Sequence, residues 1–468
     1  MSEQEEVILL RAENAALRAE QQILRETNLV LTKEVGLLSE KLSLLLKLIE
    51  KQGVKKDSHN SSLAPSSDIG RKNQSLRPPS VLKIGGQLGH KGHTLAQRAD
   101  PDTIIDLKSD FCQNCGASLS GLSYTLISRR QVLDVPPIIP TCSEYRQYAC
   151  DCGKCGYVQK AAYPKDITAP IQYGSGVLTL VSYFSVYQYL PYHRLSQLFK
   201  AVFGLPISQG SIDNLLLKAS EKAQVVYEQI RQNILNSTVI GSDETSAKVN
   251  GKKWWMWVWQ NAQNTFILAS ENRGFATIET HFKEGFANAT LVSDRWAAQL
   301  KAIALNHQLC LAHLLRDTIF LIESEKNEFA TAFLTLLKQA LDFRKELELT
   351  NTPADDKNPK AVLFEAQLNK LLALTIDPEQ HPLSRTFQVS IIKNRNYLFP
   401  FLYNLDIPPD NNGSERAIRN IKVKQKISGQ FKSGQNTFCV LRSVIDTFIK
   451  RKLNVFSALH QIMTLVPE

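Results

Sequence analysis

Three acidic residues far apart in the chain stand out for what they could do together. Val239-Ile240-Gly241-Ser242-Asp243-Glu244-Thr245-Ser246 reads as a buried strand ending at an acidic residue. Ala289-Thr290-Leu291-Val292-Ser293-Asp294 reads as another, with Asp294 at its carboxyl end. Two Asp residues ending separate buried strands, in a hairpin-then-α/β order, predict one shared site edge. Carboxylates packed that closely repel unless a cation sits between them. Their hard oxygens suit Mg2+ or Mn2+. A third acid should come from a helix that crosses the same edge. Pro408-Pro409-Asp410-Asn411-Asn412-Gly413-Ser414-Glu415 supplies it: a proline stop, polar cap residues, then Glu415 in a first turn, where the helix dipole favours negative charge.

The thiols form a second constellation. Cys112-x-x-Cys115-Gly116 and Cys152-x-x-Cys155-Gly156 are two knuckles. Each presents two thiolates, and the pair completes a tetrahedral Zn2+ site. The spacer between them is longer than usual, and Cys142 and Cys150 lie close enough in sequence to serve as alternative ligands. Cys310 and Cys439 stand alone and read as core residues. Eight cysteines in 468 residues are too few for a disulfide scaffold.

Charge points to a polyanionic partner. The chain holds 55 Lys+Arg against 45 Asp+Glu, a formal net charge of +10. Residues 53–98 carry eight Lys/Arg against Asp57 and Asp68, and residues 416–452 carry ten against Asp446 alone. Two separate basic zones fit contact along a phosphate backbone. In the first, Lys83 and Lys91 flank Gly85-Gly86-Gln87-Leu88-Gly89-His90, which lacks the spacing and the Lys-Ser/Thr ending of a nucleotide loop and reads instead as a DNA-contacting arm. In the second, Arg416, Arg419, Lys422, Lys424 and Lys426 form a strip beside Glu415. Between the zones, Leu195–Val202, Gly204-Leu205-Pro206 and Ser208–Ala219 have the shape of a helix-turn-helix, with Ser208 as N-cap. Gln209, Asn214 and Lys218 would lie on its open side and read DNA.

These residues need elements to hold them. Leucines at Leu10, Leu17, Leu24, Leu31, Leu38 and Leu45 repeat every seventh position. With Asn14, Gln21 and Asn28 among the a positions, they predict a parallel homodimeric coiled coil through residues 7–49. The expected fold is multidomain α+β. A leucine-zipper coiled coil (1–52) leads through a basic flexible linker (53–108) to a zinc ribbon (109–165). A helical, helix-turn-helix-like platform (166–236) follows. The α/β catalytic core comes in two parts, 237–317 and 401–430, around a helical insertion (318–400) whose acidic tip is Asp355-Asp356. A C-terminal helical tail (431–468) closes the chain. The acidic start is unlike a signal peptide, and no stretch reads as membrane-spanning, so a cytoplasmic protein acting at the nucleoid is expected.

Taken together, the chain resembles transposases of the insertion-sequence sixty-six family over nearly its whole length. The resemblance rests on Asn60-Ser61-Ser62, Pro65-Ser66-Ser67-Asp68, the Gly85–Gly92 arm and the paired knuckles. It continues through Leu190-Pro191-Tyr192-His193-Arg194, Asp243-Glu244-Thr245, Cys310-x-x-His313-x-x-Arg316 and Asn411-Asn412-Gly413-Ser414-Glu415-Arg416. It implies a ribonuclease-H-like catalytic domain with an Asp-Asp-Glu triad at Asp243, Asp294 and Glu415, and His313 and Arg316 as accessory residues. It also implies binding to the inverted-repeat ends of a mobile element, strand transfer into target DNA, and small accessory proteins from the same element. The chain departs from many relatives at Arg295-Trp296, where they carry Gly-Tyr. The alternative is a dimeric zinc-containing DNA-binding regulator with an inactive ribonuclease-H-like domain.

Overall fold

Two units divide the chain in the computed structural model: residues 1–75 with 286–411, and residues 76–285 with 412–468. The structure describes residues 3–51, 54, 56–57, 59–61, 85, 87, 89–92, 95–350 and 359–465. Lys83, most of the expected linker and the Asp355-Asp356 tip lie outside the described residues. Among the described residues no helix is long and apolar enough to cross a membrane.

The second unit is organised by a three-stranded antiparallel meander. Strands β3 (Val239–Val249), β4 (Lys252–Gln260) and β5 (Thr265–Ser270) follow the small knuckle strands β1 (Ala149–Asp151) and β2 (Val158–Lys160). Asn250 (φ +45°) and Gly251 (φ +78°) make the β3–β4 turn, both in the left-handed region that a two-residue hairpin of this hand requires. That tight turn carries β3 through 11 residues, so Asp243 sits in mid-strand opposite Val258 rather than at a strand end. One face of the meander stacks Trp257 on Trp259 at 5.6 Å, with Phe266 and Phe282 against them. Burying these rings supplies much of the unit's apolar core.

The unit's helices are α2 (Ser175–Ser182), α3 (Tyr192–Phe203), α4 (Gln209–Leu235), α5 (Phe275–His281), α12 (Asn412–Ser428), α13 (Gln435–Lys450) and α14 (Val455–Thr464), of which α4, α12 and α13 pack on the meander. Ser208 caps α4 by accepting from the Ser211 N–H, as expected, but α4 runs 27 residues, far past the short reading helix anticipated. Its apolar stripe packs on the meander, where the Tyr227 hydroxyl donates to the Ile267 carbonyl at 2.8 Å. Helix α13, within the stretch expected as a tail, is buried continuously from Phe438 to Phe448. Its Ser443 and Thr447 hydroxyls accept from the N–H groups of Ile267 and Thr265, which hides donors of β5 that would otherwise invite another strand.

In the first unit β6 (Phe286–Ser293) and β7 (Ala304–Leu309) pair in parallel, with the short helix α6 (Ala297–Leu300) between them. The rest of this unit is helical: α7 (Leu311–Glu325), α8 (Glu328–Thr350), α9 (Pro359–Leu372), α10 (Pro382–Lys393) and α11 (Pro400–Tyr403). Part of the stretch expected as linker docks here. Asp57 Oδ1 accepts from the His59 and Asn60 N–H groups, and the Asn60 amide donates to Glu323 of α7 at 2.7 Å. Helix α1 (Glu3–Lys51) is continuous, and Leu17, Leu24, Leu31 and Leu38 along it are exposed.

Candidate active site

Strand alternation decides which way each carboxylate of Asp243-Glu244 points. Glu244 shares the Trp257 face, where Arg273 closes on it at 2.9 Å and lies 4.6 Å over the Trp255 ring. Asp243 shares the opposite face with Gln260, whose side chain lies against Gly413 of α12, and with Met256, which meets Cys439 of α13. So Asp243 is the acid on the face that α12 covers, and Glu244 is a structural ion-pair partner. Nothing in the local sequence pattern marks Arg273.

Helix α12 is tied to the meander along its length. Gly413 seats on Gln260, which pairs with Gly241. Lys422 Nζ donates to the Ser246 carbonyl at 2.8 Å. Beyond the helix, Phe431 bridges to the end of β3 through Lys248 O and Asn250 N. Gly413 to Lys422 spans about 13 Å of helix, and Gly241 to Ser246 about 17 Å of strand. Glu415, in the first turn, therefore falls abreast of the Ser242–Asp243 segment.

Asp294 belongs to the first unit and directly follows β6, as expected. Its carboxylate accepts from the Trp296 N–H at 3.0 Å. The preceding Ser293 carbonyl accepts from Cys310 N–H at 2.8 Å, and Cys310 Sγ accepts from the Asn411 N–H at 3.2 Å. The Pro409 carbonyl accepts from Leu311 N–H at 2.9 Å. The segment that leads into the Glu415 helix is thus anchored at the end of the Asp294 strand. The loop after Asp294 is itself fixed, because Arg295 pairs with Asp317, donates to Ser390 and covers the Phe387 ring.

The family model described as Transposase IS66 family matches residues 170–437, more than half of the chain. The chain belongs to the IS66 transposase family. None of the curated proteins matches it. In this transposase the matched span holds the three candidate acids Asp243, Asp294 and Glu415, together with His313 and Arg316 in the first turns of α7, both half-buried. Helix α1 and the cysteine knuckles lie outside it.

Both knuckles of the transposase are built alike. In each, the first Cys N–H donates to a carbonyl five residues on, and the Gly116 or Gly156 N–H donates back to the Cys112 or Cys152 carbonyl at 2.8 Å. The glycines take positive φ, +72° and +70°. Backbone N–H groups of Cys115 and Asn114 lower the Cys112 thiol pKa, and those of Lys154 and Cys155 lower that of Cys152. Amides aimed at sulfur favour the thiolate, the form that binds metal. Among the described residues, no group of three or more His, Cys, Asp or Glu is arranged to hold a metal ion. Cys142 and Cys150 are exposed, and Cys150 lies in β1 just before the second knuckle.

Of the residues expected to touch DNA, Lys91, Gln209, Asn214, Lys218, Arg416, Arg419 and Lys426 are exposed. Lys422 and Lys424 are not free surface charges. Lys422 is spent on Ser246, Lys424 lies 5.9 Å from the Tyr192 ring, and desolvation lowers the pKa of both ammonium groups. Sequence periodicity alone could not separate them from their neighbours on a helix rich in Lys and Arg.

Proposed function

We propose that this transposase cuts the ends of an insertion sequence and joins them to target DNA, with Asp243, Asp294 and Glu415 as its catalytic acids. The observation that carries the reading is the seating of the Glu415 helix: its first turn rests on Gln260 and its body is tied along the strand and face that bear Asp243. Three carboxylates offer the hard oxygen donors that Mg2+ or Mn2+ prefers. Those ions would supply activation of the attacking oxygen and stabilisation of the leaving 3′ oxygen.

The chain's own residues do the rest. Water attacks the phosphodiester at the element end and its P–O3′ bond breaks, leaving a 3′-hydroxyl on one product and a 5′-phosphate on the other. That hydroxyl then attacks a target phosphodiester and expels another 3′ oxygen. Arg416, Arg419 and Lys426 line the exposed side of α12 and hold the strand's phosphates next to the acids. His313 and Arg316, opening α7 beside the Asn411 anchor, orient water or phosphate. Gln209, Asn214 and Lys218 contact the terminal repeat from α4, and Lys83 and Lys91 follow the backbone from the Gly-rich arm.

Cys112, Cys115, Cys152 and Cys155 would hold Zn2+, which would bring the two knuckles together and order a module with almost no buried core. Helix α1 would pair with a second copy, so that one dimer holds two element ends. Small accessory proteins of the same element would complete the assembly.

The test is strand cleavage and joining on a labelled element end with plasmid target. Asp243→Asn, Asp294→Asn and Glu415→Gln should each lower cleavage by on the order of a hundredfold or more while specific end binding persists. A variant that keeps most of its activity removes that residue from the triad.

A further inference from the structure

The first turn of α12 is seated by a contact that leaves no room for a side chain. A β-carbon built on Gly413 would lie 2.8 Å from the amide carbon of Gln260 and 2.9 Å from its oxygen, closer than side chains approach. Gly413 is not among the glycines with positive φ, so the glycine is there for space and not for backbone freedom. Alanine would otherwise suit a helix better.

An unrestrained glutamine would swing aside, but Gln260 is held. Its Oε1 accepts from Lys450 Nζ at 2.7 Å. Lys450 also donates to the carbonyls of Asn261 at 2.7 Å and Asn264 at 3.0 Å. The turn carrying those carbonyls is braced by Asn261 Oδ1, which accepts the N–H groups of Gln263 and Asn264. Arg451 donates to the Asn264 side chain at 2.6 Å and ties the same turn to the end of α13. Displacing the Gln260 amide would therefore break a bond within a braced corner of the fold.

We propose that Gly413 and Gln260 are positioning residues for Glu415. The Gln260 amide, locked by Lys450, is the stop on which the Gly413 backbone rests, and it sets the height of Glu415 along β3. Gln260 pairs with Gly241, two residues before Asp243, so the stop and the two acids share one frame. The inference rests on the reading of Glu415 as a site acid.

A reciprocal size swap tests it in the full-length chain, read by strand cleavage and by Mn2+ binding in electron paramagnetic resonance titration. Gly413→Ala should slow cleavage by about tenfold or more and weaken Mn2+ binding severalfold, with specific end binding preserved. Adding Gln260→Ser, which clears space for the new methyl group, should bring both back to within about threefold of the natural protein. Natural cleavage and Mn2+ binding in Gly413→Ala, or no recovery in the double variant, overturns the stop. If Gly413→Ala does not fold, Gln260→Ala carries the test, since it only removes atoms. It should cleave severalfold more slowly at limiting Mn2+, and unchanged activity overturns the proposal. Glu415→Gln in the same series separates the two ideas. If it cleaves normally, the site reading falls and the proposal with it. If it is inactive while Gly413→Ala is normal, only the stop is discarded.

Discussion

The backbone N–H of Asn411 donates to Cys310 Sγ at 3.2 Å, and both residues are almost wholly enclosed. Cys310 opens α7, its own N–H is bound to the residue before Asp294, and Asn411 lies four residues ahead of Glu415. A cysteine with the sequence character of plain core is therefore a bracket between the Asp294 strand and the chain entering the Glu415 helix. Cys310→Ala should remove the acceptor and leave a buried N–H weakened, destabilising the chain by about 1–3 kcal/mol and slowing cleavage. Cys310→Ser, which keeps an acceptor atom, should retain more of both. Denaturant midpoints and single-turnover cleavage check this, and equal behaviour of the two variants counts against the bracket.

The exposed and half-buried cations of α12 should separate in a salt titration. Replacing both Arg416 and Arg419 by Ala should lower the slope of log affinity against log salt by about 2, close to one per phosphate contact. Lys422→Met should leave that slope unchanged. It should instead cost about 1 kcal/mol of stability through the lost bond to Ser246.

Zinc should be recoverable from the purified chain at about one equivalent, as one four-thiolate site requires. Chelation should then expose residues 109–165 to protease while the meander unit stays folded, because little apolar core supports that stretch without metal. Cys152→Ser should reproduce the effect. A protease pattern indifferent to chelator would dismiss the metal site.

Leu24 and Leu31 are 57% and 51% exposed along α1, an unusual state for heptad leucines unless another helix covers them. Leu24→Glu with Leu31→Glu should convert a dimer into a monomer by light scattering and leave the catalytic units folded. If the natural chain is already monomeric at micromolar concentration, the coiled-coil dimer is excluded.

Desolvation brings the Lys450 ammonium down to about 7 from its ordinary value near 10.5. Between those two values the unfolded chain binds a proton that the folded chain does not, so stability rises with pH across this window. Below about 7 both states carry the charge and the slope from this group vanishes. The thermal midpoint of the natural chain should therefore climb more between pH 7 and pH 10 than that of Lys450→Met. Parallel curves for the two proteins would show that Lys450 does not titrate in that range.

Much of the local structure was legible in the residues. Asn250-Gly251 announced the β3–β4 turn, Thr265–Ser270 its third strand, Ser208 the cap of α4, and Pro408–Asn412 the start of the helix that carries Glu415. Glu415 and Asp294 lie where the pattern put them along the chain, in a first helical turn and at a strand end. These features depend on backbone preferences, capping and periodicity acting over a few residues.

Sequence by itself determined the family, the acids worth testing and the elements that carry them, because those follow from residue type and spacing. Only the tertiary structure decided that Asp243 rather than Glu244 lies on the α12 face, since the facing of a strand depends on what packs on each side. It likewise assigned Lys422 to a carbonyl of β3, made Cys310 a bracket and gave Gly413 its stop. Each of these depends on atoms a hundred or more residues apart in the chain, a separation that no local preference encodes.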